Sequence, residues 1–316
     1  AEARRIAAEQ GRLDWLVYPL ITIALVHRLV GQRDQAQAAL AEVAPLAPTG
    51  SVIQGYHLCL SGELALDDGQ LEAGRAFFVR ARPIAEASGE PWLNGAVRLG
   101  MSRYHRLLGD GPNARAWADD ALAFARRLGC RYDQGRALIE RGRGAWLCGD
   151  LAGAEADLRA ANDILAALDA AFELVRGRFL LAALLHEQGH AEASGAWLAA
   201  ARAIGEGGYA FLLEQERSLA FPLLAAYQAG PDPDLARASA LLLERLRRVP
   251  PPPLHIITLG RFEVRQGRWR IERRALHTRR AGELLALLLL APGRSLSGDQ
   301  VAEALWPDKT PDAALT

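Results

Sequence analysis

Small side chains recur along the chain at a spacing near 40 residues, and they mark a repeating helical hairpin. Glycines at Gly31, Gly69, Gly109, Gly149, Gly189 and Gly230 follow one another at intervals of 38 to 41 residues. Seven positions before the first five of them stand Ala24, Gly62, Ser102, Gly142 and Ala182. Five positions after them come Ala36, Gly74, Ala114, Ala154 and Ser194, and twelve after come Val43, Ala81, Ala121, Ala161 and Ala201. Such columns let two antiparallel helices approach closely, while the glycine supplies a turn backbone that a side chain would penalise. The pattern predicts units of helix, glycine turn and helix. The sixth is looser, because Gly230 is followed by Pro231 and Pro233 and Ala236 arrives one residue late, as in a terminal capping repeat.

The period changes at Pro250-Pro251-Pro252-Pro253. Four prolines favour an extended, semi-rigid spacer of roughly 12 Å. Beyond them Leu254–Leu259, Arg261–Val264 and Arg268–Ile271 read as short strands, separated by Gly260 and by a Gln266-Gly267 turn, and predict a small antiparallel sheet. A helix is expected from Thr278 through the leucine-rich run to Leu290, stopped by Pro292-Gly293. Apolar on all sides, it needs neighbours on more than one face. Ser297-Gly298-Asp299-Gln300 has the spacing of a capping box for a second helix that runs to Trp306 and stops at Pro307. Thr310-Pro311-Asp312 opens a third helix, with proline at its first position.

Composition narrows the function. The 316 residues are 50% apolar, sufficient for a solenoid and a second domain with their own cores. Basic and acidic side chains number 37 each, which argues against a chain that binds nucleic acid or a membrane surface over its whole length. Charge is nevertheless uneven: Leu254 to Arg280 holds eight arginines against Glu263 and Glu272, whereas residues 1–253 hold 27 basic and 30 acidic side chains. Cys59, Cys130 and Cys148 lack metal-ligand spacing and fit reduced, buried residues of a cytoplasmic protein. No apolar run reaches the ~20 residues of a membrane helix. The only lysine is Lys309, so there is no lysine-bearing phosphate loop. The chain starts at Ala1 without a signal-peptide pattern and is expected to be cut from a longer polypeptide.

His186-Glu187-Gln188-Gly189-His190 matches the zinc-protease pattern H-E-x-x-H. That chemistry needs both histidines on one continuous helix, yet Gly189 belongs to the column of turn glycines. His190 is therefore expected beyond the helix end. The extension typical of one zinc-protease branch is also missing, with Ala193 and Ala196 in its place. A zinc hydrolase is thus the weaker alternative, and the sequence points to no catalytic residue, metal or cofactor.

The three small columns around a turn resemble tetratricopeptide repeats over residues 13–249. Their period is nearer 40 than the usual ~34, similar to the longer repeats of maltose-regulator-like bacterial transcription regulators. The resemblance implies an array whose first helices line a concave face that takes up peptides, partner proteins or small effectors. His57, Arg98, Tyr104, Arg141 and Arg178 fall on first helices and are candidates to line it, although an arginine on a repeat helix is more often a solvated or salt-bridged face residue.

Residues 254–316 resemble the winged-helix DNA-binding domain of the Streptomyces antibiotic regulatory protein family, a branch of the OmpR-type regulators. The carriers are Leu259-Gly260-Arg261-Phe262-Glu263-Val264, then Thr278-Arg279-Arg280-Ala281 running into the leucines, then Ser297 to Pro307 with Glu303-Ala304-Leu305-Trp306-Pro307, and the helix start at Pro311. The stretch spans the first half to two-thirds of such a domain, with most of the groove-reading helix and the wing beyond it. By this resemblance Trp306 and Ser297 are placed to meet DNA phosphates, followed by Arg294, Arg279 and Arg280. Leu276, Gly282 and Gly298 depart from residues common in the family, the last at an expected phosphate contact. Family members often carry a nucleotide-dependent switch before the repeats and a helical activation domain after the winged helix.

Together these readings predict a mostly α protein. A tetratricopeptide-like solenoid of about six helix pairs over residues 1–249, a proline linker at 250–253 and a small α+β partial winged helix over 254–316 are expected. The expected function is a non-enzymatic, cytoplasmic transcription regulator that couples an effector on the repeats to promoter DNA. The alternative is a protein-interaction scaffold without DNA binding.

Overall fold

The fold is seen in a computed structural model that describes residues 16–247, 254–257, 263–266, 269–271 and 279–307. Five hairpins succeed one another: α1 (Val17–Leu29) with α2 (Arg33–Val43), α3 (Val52–Asp67) with α4 (Leu71–Ser88), α5 (Pro91–Leu107) with α6 (Gly111–Arg127), α7 (Arg131–Leu147) with α8 (Leu151–Ala166), and α9 (Ala171–Glu187) with α10 (Ala193–Glu206). The sixth unit has a divided first part, α11 (Phe211–Gln215) and α12 (Arg217–Gln228), followed by α13 (Pro233–Leu246). Among the described residues no helix is long and apolar enough to cross a membrane.

Each hairpin turns on its predicted glycine. Gly31, Gly69, Gly109, Gly149 and Gly189 have φ between +65° and +81°, the left-handed region that only glycine enters cheaply. The following amide donates back to the carbonyl five residues earlier, as from Asp110 to His105 at 2.9 Å and Asp150 to Ala145 at 3.0 Å, closing the helix end. Gly230 is different: it is absent from the left-handed residues, so the sixth unit departs from the pattern. Between hairpins a second series does the same work, with Gly50, Gly89, Gly129 and Gly208 at positive φ and Asp169 at +50°.

The small columns are the hairpin interiors. Ala24, Ala36, Val43, Ala81, Ala114, Ala121, Ala154, Ala161, Ala182 and Ala201 are all buried. A methyl on Gly62 would lie 2.9 Å from the Phe78 ring, and one on Gly74 would lie 2.6 Å from Leu66. Phe78 occupies the space that Gly62 leaves and Leu66 that beside Gly74, and the complete burial of Phe78 stabilises the array by roughly 2–3 kcal/mol. The fifth unit slips by one position, because α10 begins at Ala193. Ala193 is buried there and Ser194 is exposed.

Cysteine placement departs from expectation. Only Cys59 is buried, whereas Cys130 is half-buried and Cys148 exposed. Both flank α7 as its cap residues, and helix ends are held at the surface. Cys130 Sγ donates to Asp133 Oδ2 at 3.0 Å.

The chain divides into two units, Ala1–Gln215 with Leu223–Arg247, and Glu216–Pro222 with Arg248–Thr316. In the second, β1 (Leu254–Ile257), β2 (Glu263–Gln266) and β3 (Trp269–Ile271) form one antiparallel sheet in the order β1-β2-β3. Ile256 faces Val264, and Val264 faces Ile271. The second strand extends two residues past its predicted end, since Leu254 pairs with Gln266. Two helices follow, α14 (Arg279–Leu290) and α15 (Gly298–Leu305). The proline linker and the helix start at Thr310–Asp312 lie outside the described residues.

Candidate interaction surface on the first helices

The first helices of neighbouring hairpins lie side by side and are joined by charge. Arg28 on α1 reaches Glu63 at 2.6 Å and Asp67 at 2.8 Å on α3. Arg103 on α5 grips the same two carboxylates from the other side, at 2.6 and 2.5 Å. One step on, Arg106 of α5 and Arg176 of α9 converge on Glu140 of α7 at 3.2 and 2.5 Å. Along these contacts the signs alternate, Arg28, Glu63 with Asp67, Arg103 with Arg106, Glu140, Arg176, while Arg136 of α7 meets Glu173 of α9 at 3.6 Å in the opposite sense.

These side chains are largely removed from water. Burial pushes the carboxyls of Glu63, Asp67 and Glu140 up, but the facing guanidiniums outweigh it and hold all three below the ordinary carboxylate range. Burial likewise works against the charge on Arg103, and Asp67 and Glu63 reverse the effect. Buried pairs of this kind cost desolvation and repay it through geometry and multiple hydrogen bonds. They fix the repeats in register and leave few charges on this face for a ligand.

Beside the ladder runs an aromatic column at the starts of the first helices. Tyr18 on α1 packs edge-on against Tyr56 on α3 at 6.3 Å, and Tyr56 against Trp92 on α5 at 5.0 Å. Tyr132 on α7 lies under Arg136 at 5.7 Å. Phe172 on α9 stacks on Phe211 at 5.7 Å and meets Tyr209 at 5.9 Å. Tyr18 is 57% exposed and Tyr132 43%, so the column presents aromatic edges to solvent. Its members stand 36 to 40 residues apart from Tyr18 through Tyr56, Trp92, Tyr132 and Phe172. That spacing was the signal available in the sequence.

The five residues expected on this face are dispersed. Arg98 turns toward the second helix of its own hairpin, binding Asp120 at 2.8 Å and covering the Phe124 ring at 4.7 Å. Arg141 bridges Asp157 on α8 and Asp119 on α6, at 2.5 and 3.3 Å. Tyr104 is buried and donates to Glu72 on α4 at 2.6 Å. His57 is half-buried, its pKa lowered first by burial and then by Arg80 of α4. Arg178 is exposed. Arg98, Arg141 and Tyr104 thus bond to second helices.

In the H-E-x-x-H stretch, α9 ends at Glu187 and Gly189 takes φ +65°. His190 lies in the turn, where its Nδ1 accepts from the Glu192 amide at 3.2 Å, while His186 packs against Tyr227 at 4.9 Å. No group of three His, Cys, Asp or Glu suited to a metal occurs among the described residues.

In the second unit Ser297 and Gln300 form the reciprocal capping box, with Ser297 Oγ accepting from Gln300 N at 3.2 Å and Gln300 Oε1 accepting from Ser297 N at 2.9 Å. Arg280 stacks over Trp306 at 5.6 Å and pairs with Glu283 at 2.8 Å. Those two candidates are brought together. Arg294 is exposed at φ +56°, and Arg279 opens α14.

No protein-family model matches the sequence, and no curated protein does. Solved structures share the fold. A Rap protein, solved in complex with competence and sporulation factor, is similar with a TM-score of 0.58 at 16% identity over 74% of this chain and 65% of its own. A signal transduction ATPase with numerous domains and a tetratricopeptide repeat sensor, from Pyrococcus horikoshii, is similar with a TM-score of 0.51 at 17% identity over 77% of this chain and 42% of its own. The chain thus spans under two-thirds of the length of either. The architecture is a mostly α, tetratricopeptide-like helical solenoid.

Proposed function

We propose that this chain is the partner-receiving portion of a cytoplasmic, non-enzymatic transcription regulator. Its first-helix face takes up a polypeptide effector, and residues 254–316 begin a winged helix that binds promoter DNA. The observation that carries the first half is the column Tyr18–Tyr56–Trp92, with contacts of 6.3 and 5.0 Å, beside a charge ladder already neutralised by its own partners. Rigid aromatic edges next to neutralised charge favour an apolar or aromatic segment over a highly charged one. A bound factor in the Rap complex and a repeat sensor in the ATPase are consistent with that role.

The DNA-binding half rests on the motif resemblance, on the arginines between Leu254 and Arg280, and on a three-stranded sheet followed by two helices. An electrophoretic assay on protein extended past Thr316 tests it. Salt-sensitive retardation is expected, and its absence leaves the interaction scaffold as the better reading. Metal analysis with a His186→Ala control addresses the hydrolase alternative, which needs stoichiometric zinc. For the effector half, a photoreactive residue placed at Trp92 should capture a cellular protein, and a Tyr56→Ala background should abolish the capture.

A further inference from the structure

The turn between the third and fourth hairpins concentrates positive charge that has no partner. Arg126 and Arg127 close α6 and Arg131 opens α7. All three are exposed, and none of them forms an ion pair among the described residues. Arg127 covers the Phe124 ring at 5.4 Å, and Asp133, the nearest carboxylate in sequence, is taken by Arg136 at 3.3 Å. Leu128 and Tyr132 stand among these arginines, 49% and 43% exposed. The repeats supply their own comparison, counted from the positive-φ residue of each between-hairpin turn. At the three places held by Arg126, Arg127 and Arg131, the next turn has Ala166, Ala167 and Ala171 and the preceding one has Glu86, Ala87 and Pro91. No other between-hairpin turn has an arginine at any of them. The fold therefore does not require arginine here. A cation is favoured at the end of α6, but Arg131 stands in the first turn of α7, where a cation is disfavoured.

Carboxylates stand in the turns on both sides, Glu86 and Glu90 before and Asp169 after. A strand of nucleic acid, charged at every nucleotide, needs a basic groove along its path, so an isolated patch between acidic turns suits a compact anionic group instead. Leu128 and Tyr132 add apolar area beside the charge, and Tyr132 belongs to the aromatic column. We propose that Arg126, Arg127 and Arg131 bind the carboxylates of an acidic stretch in a polypeptide partner, with a neighbouring apolar side chain of that partner packed on Leu128 and Tyr132. This rests on the reading that the first-helix face receives a polypeptide: the apolar part of the partner lies on the column, and its acidic part lies at this turn.

A random peptide library displayed on phage, selected on the immobilised full chain, tests this. Its control is the triple variant Arg126→Ala, Arg127→Ala, Arg131→Ala, which installs the alanines that the Asp169 turn already carries in the same fold. Peptides selected on the unaltered chain should be enriched in Asp and Glu beside an aromatic or aliphatic residue. Synthetic copies should bind the triple variant about tenfold more weakly and lose most of their salt dependence there. Leu128→Ser should weaken them while leaving the salt dependence in place. Peptides that need Tyr56 but bind the triple variant equally well would overturn this proposal and leave the effector reading standing. Recovery of no peptide that depends on either Tyr56 or the arginines would sink both. Single-stranded oligothymidylate that binds more tightly than the selected peptides, with the same arginine dependence, would also overturn the proposal, because the patch would then be a nucleic-acid site.

Discussion

Ser102 Oγ on α5 donates to the carbonyl oxygen of Ala114 on α6 at 2.8 Å, tying together the two helices of the third hairpin. The equivalent first-helix positions hold Ala24, Gly62, Gly142 and Ala182, so size is held small throughout and only this hairpin adds a hydrogen bond. Ser102→Ala is expected to cost about 1 kcal/mol, the net worth of one buried bond. Ser102→Leu should cost about 2–3 kcal/mol by forcing the helices apart. Urea unfolding of the two variants separates the effects.

Gly100 and Gly95 lie on the same helix in opposite circumstances. A methyl at Gly100 would collide with the Phe78 ring, while one at Gly95 would meet nothing within 4 Å. Gly95→Ala is expected to raise stability by roughly 0.5–1 kcal/mol, and Gly100→Ala to lower it by about 1–3 kcal/mol. Thermal melts of both read the sign directly.

Much of this architecture was legible in the sequence. The turn glycines and their flanking small columns gave the hairpins and their register, and Ser297 with Gln300 gave the start of α15. The second series of turns was hidden because Asp169 interrupts it, and because alignment on one glycine column draws attention from the other. The directions of Arg98 and Arg141 were not legible either. A helical period tells which residues share a face, but a first helix meets more than one neighbour, and only the stacking of hairpins decides which side meets a second helix. The charge ladder joins residues 34 to 40 positions apart, as in Arg106 with Glu140 and Arg103 with Glu63, and no local pattern announces it.

Asp169 is the one non-glycine in the between-hairpin turns, at φ +50°. Aspartate enters this region at some cost and β-branched residues at more. Asp169→Gly is expected to stabilise the protein by roughly 0.5–1 kcal/mol, and Asp169→Val to destabilise it. Chemical unfolding monitored by circular dichroism checks both.

Acid sensitivity follows from the ladder. Carboxyls held below their ordinary values contribute stability at neutral pH and lose it as pH falls from the unfolded value toward the folded one. For Glu63 and Glu140 the ordinary value is 4.5, and for Asp67 it is 3.8. The urea midpoint should therefore be nearly flat from about pH 7 to pH 5 and fall steeply below about pH 4.5. Glu140→Gln, which leaves Arg106 and Arg176 without their shared carboxylate, is expected to cost roughly 3 kcal/mol at neutral pH and to make the acid limb shallower.

The alternation of sign along the first helices has a period of two hairpins, although the fold has a period of one. Removing the second hairpin alone would set Arg28 against Arg103 in a dry interface, since Glu63 and Asp67 stand between them, an arrangement that excludes itself energetically. Between Arg28 and Arg103 the second hairpin is thus not dispensable by itself, whatever its contribution to the rest of the fold.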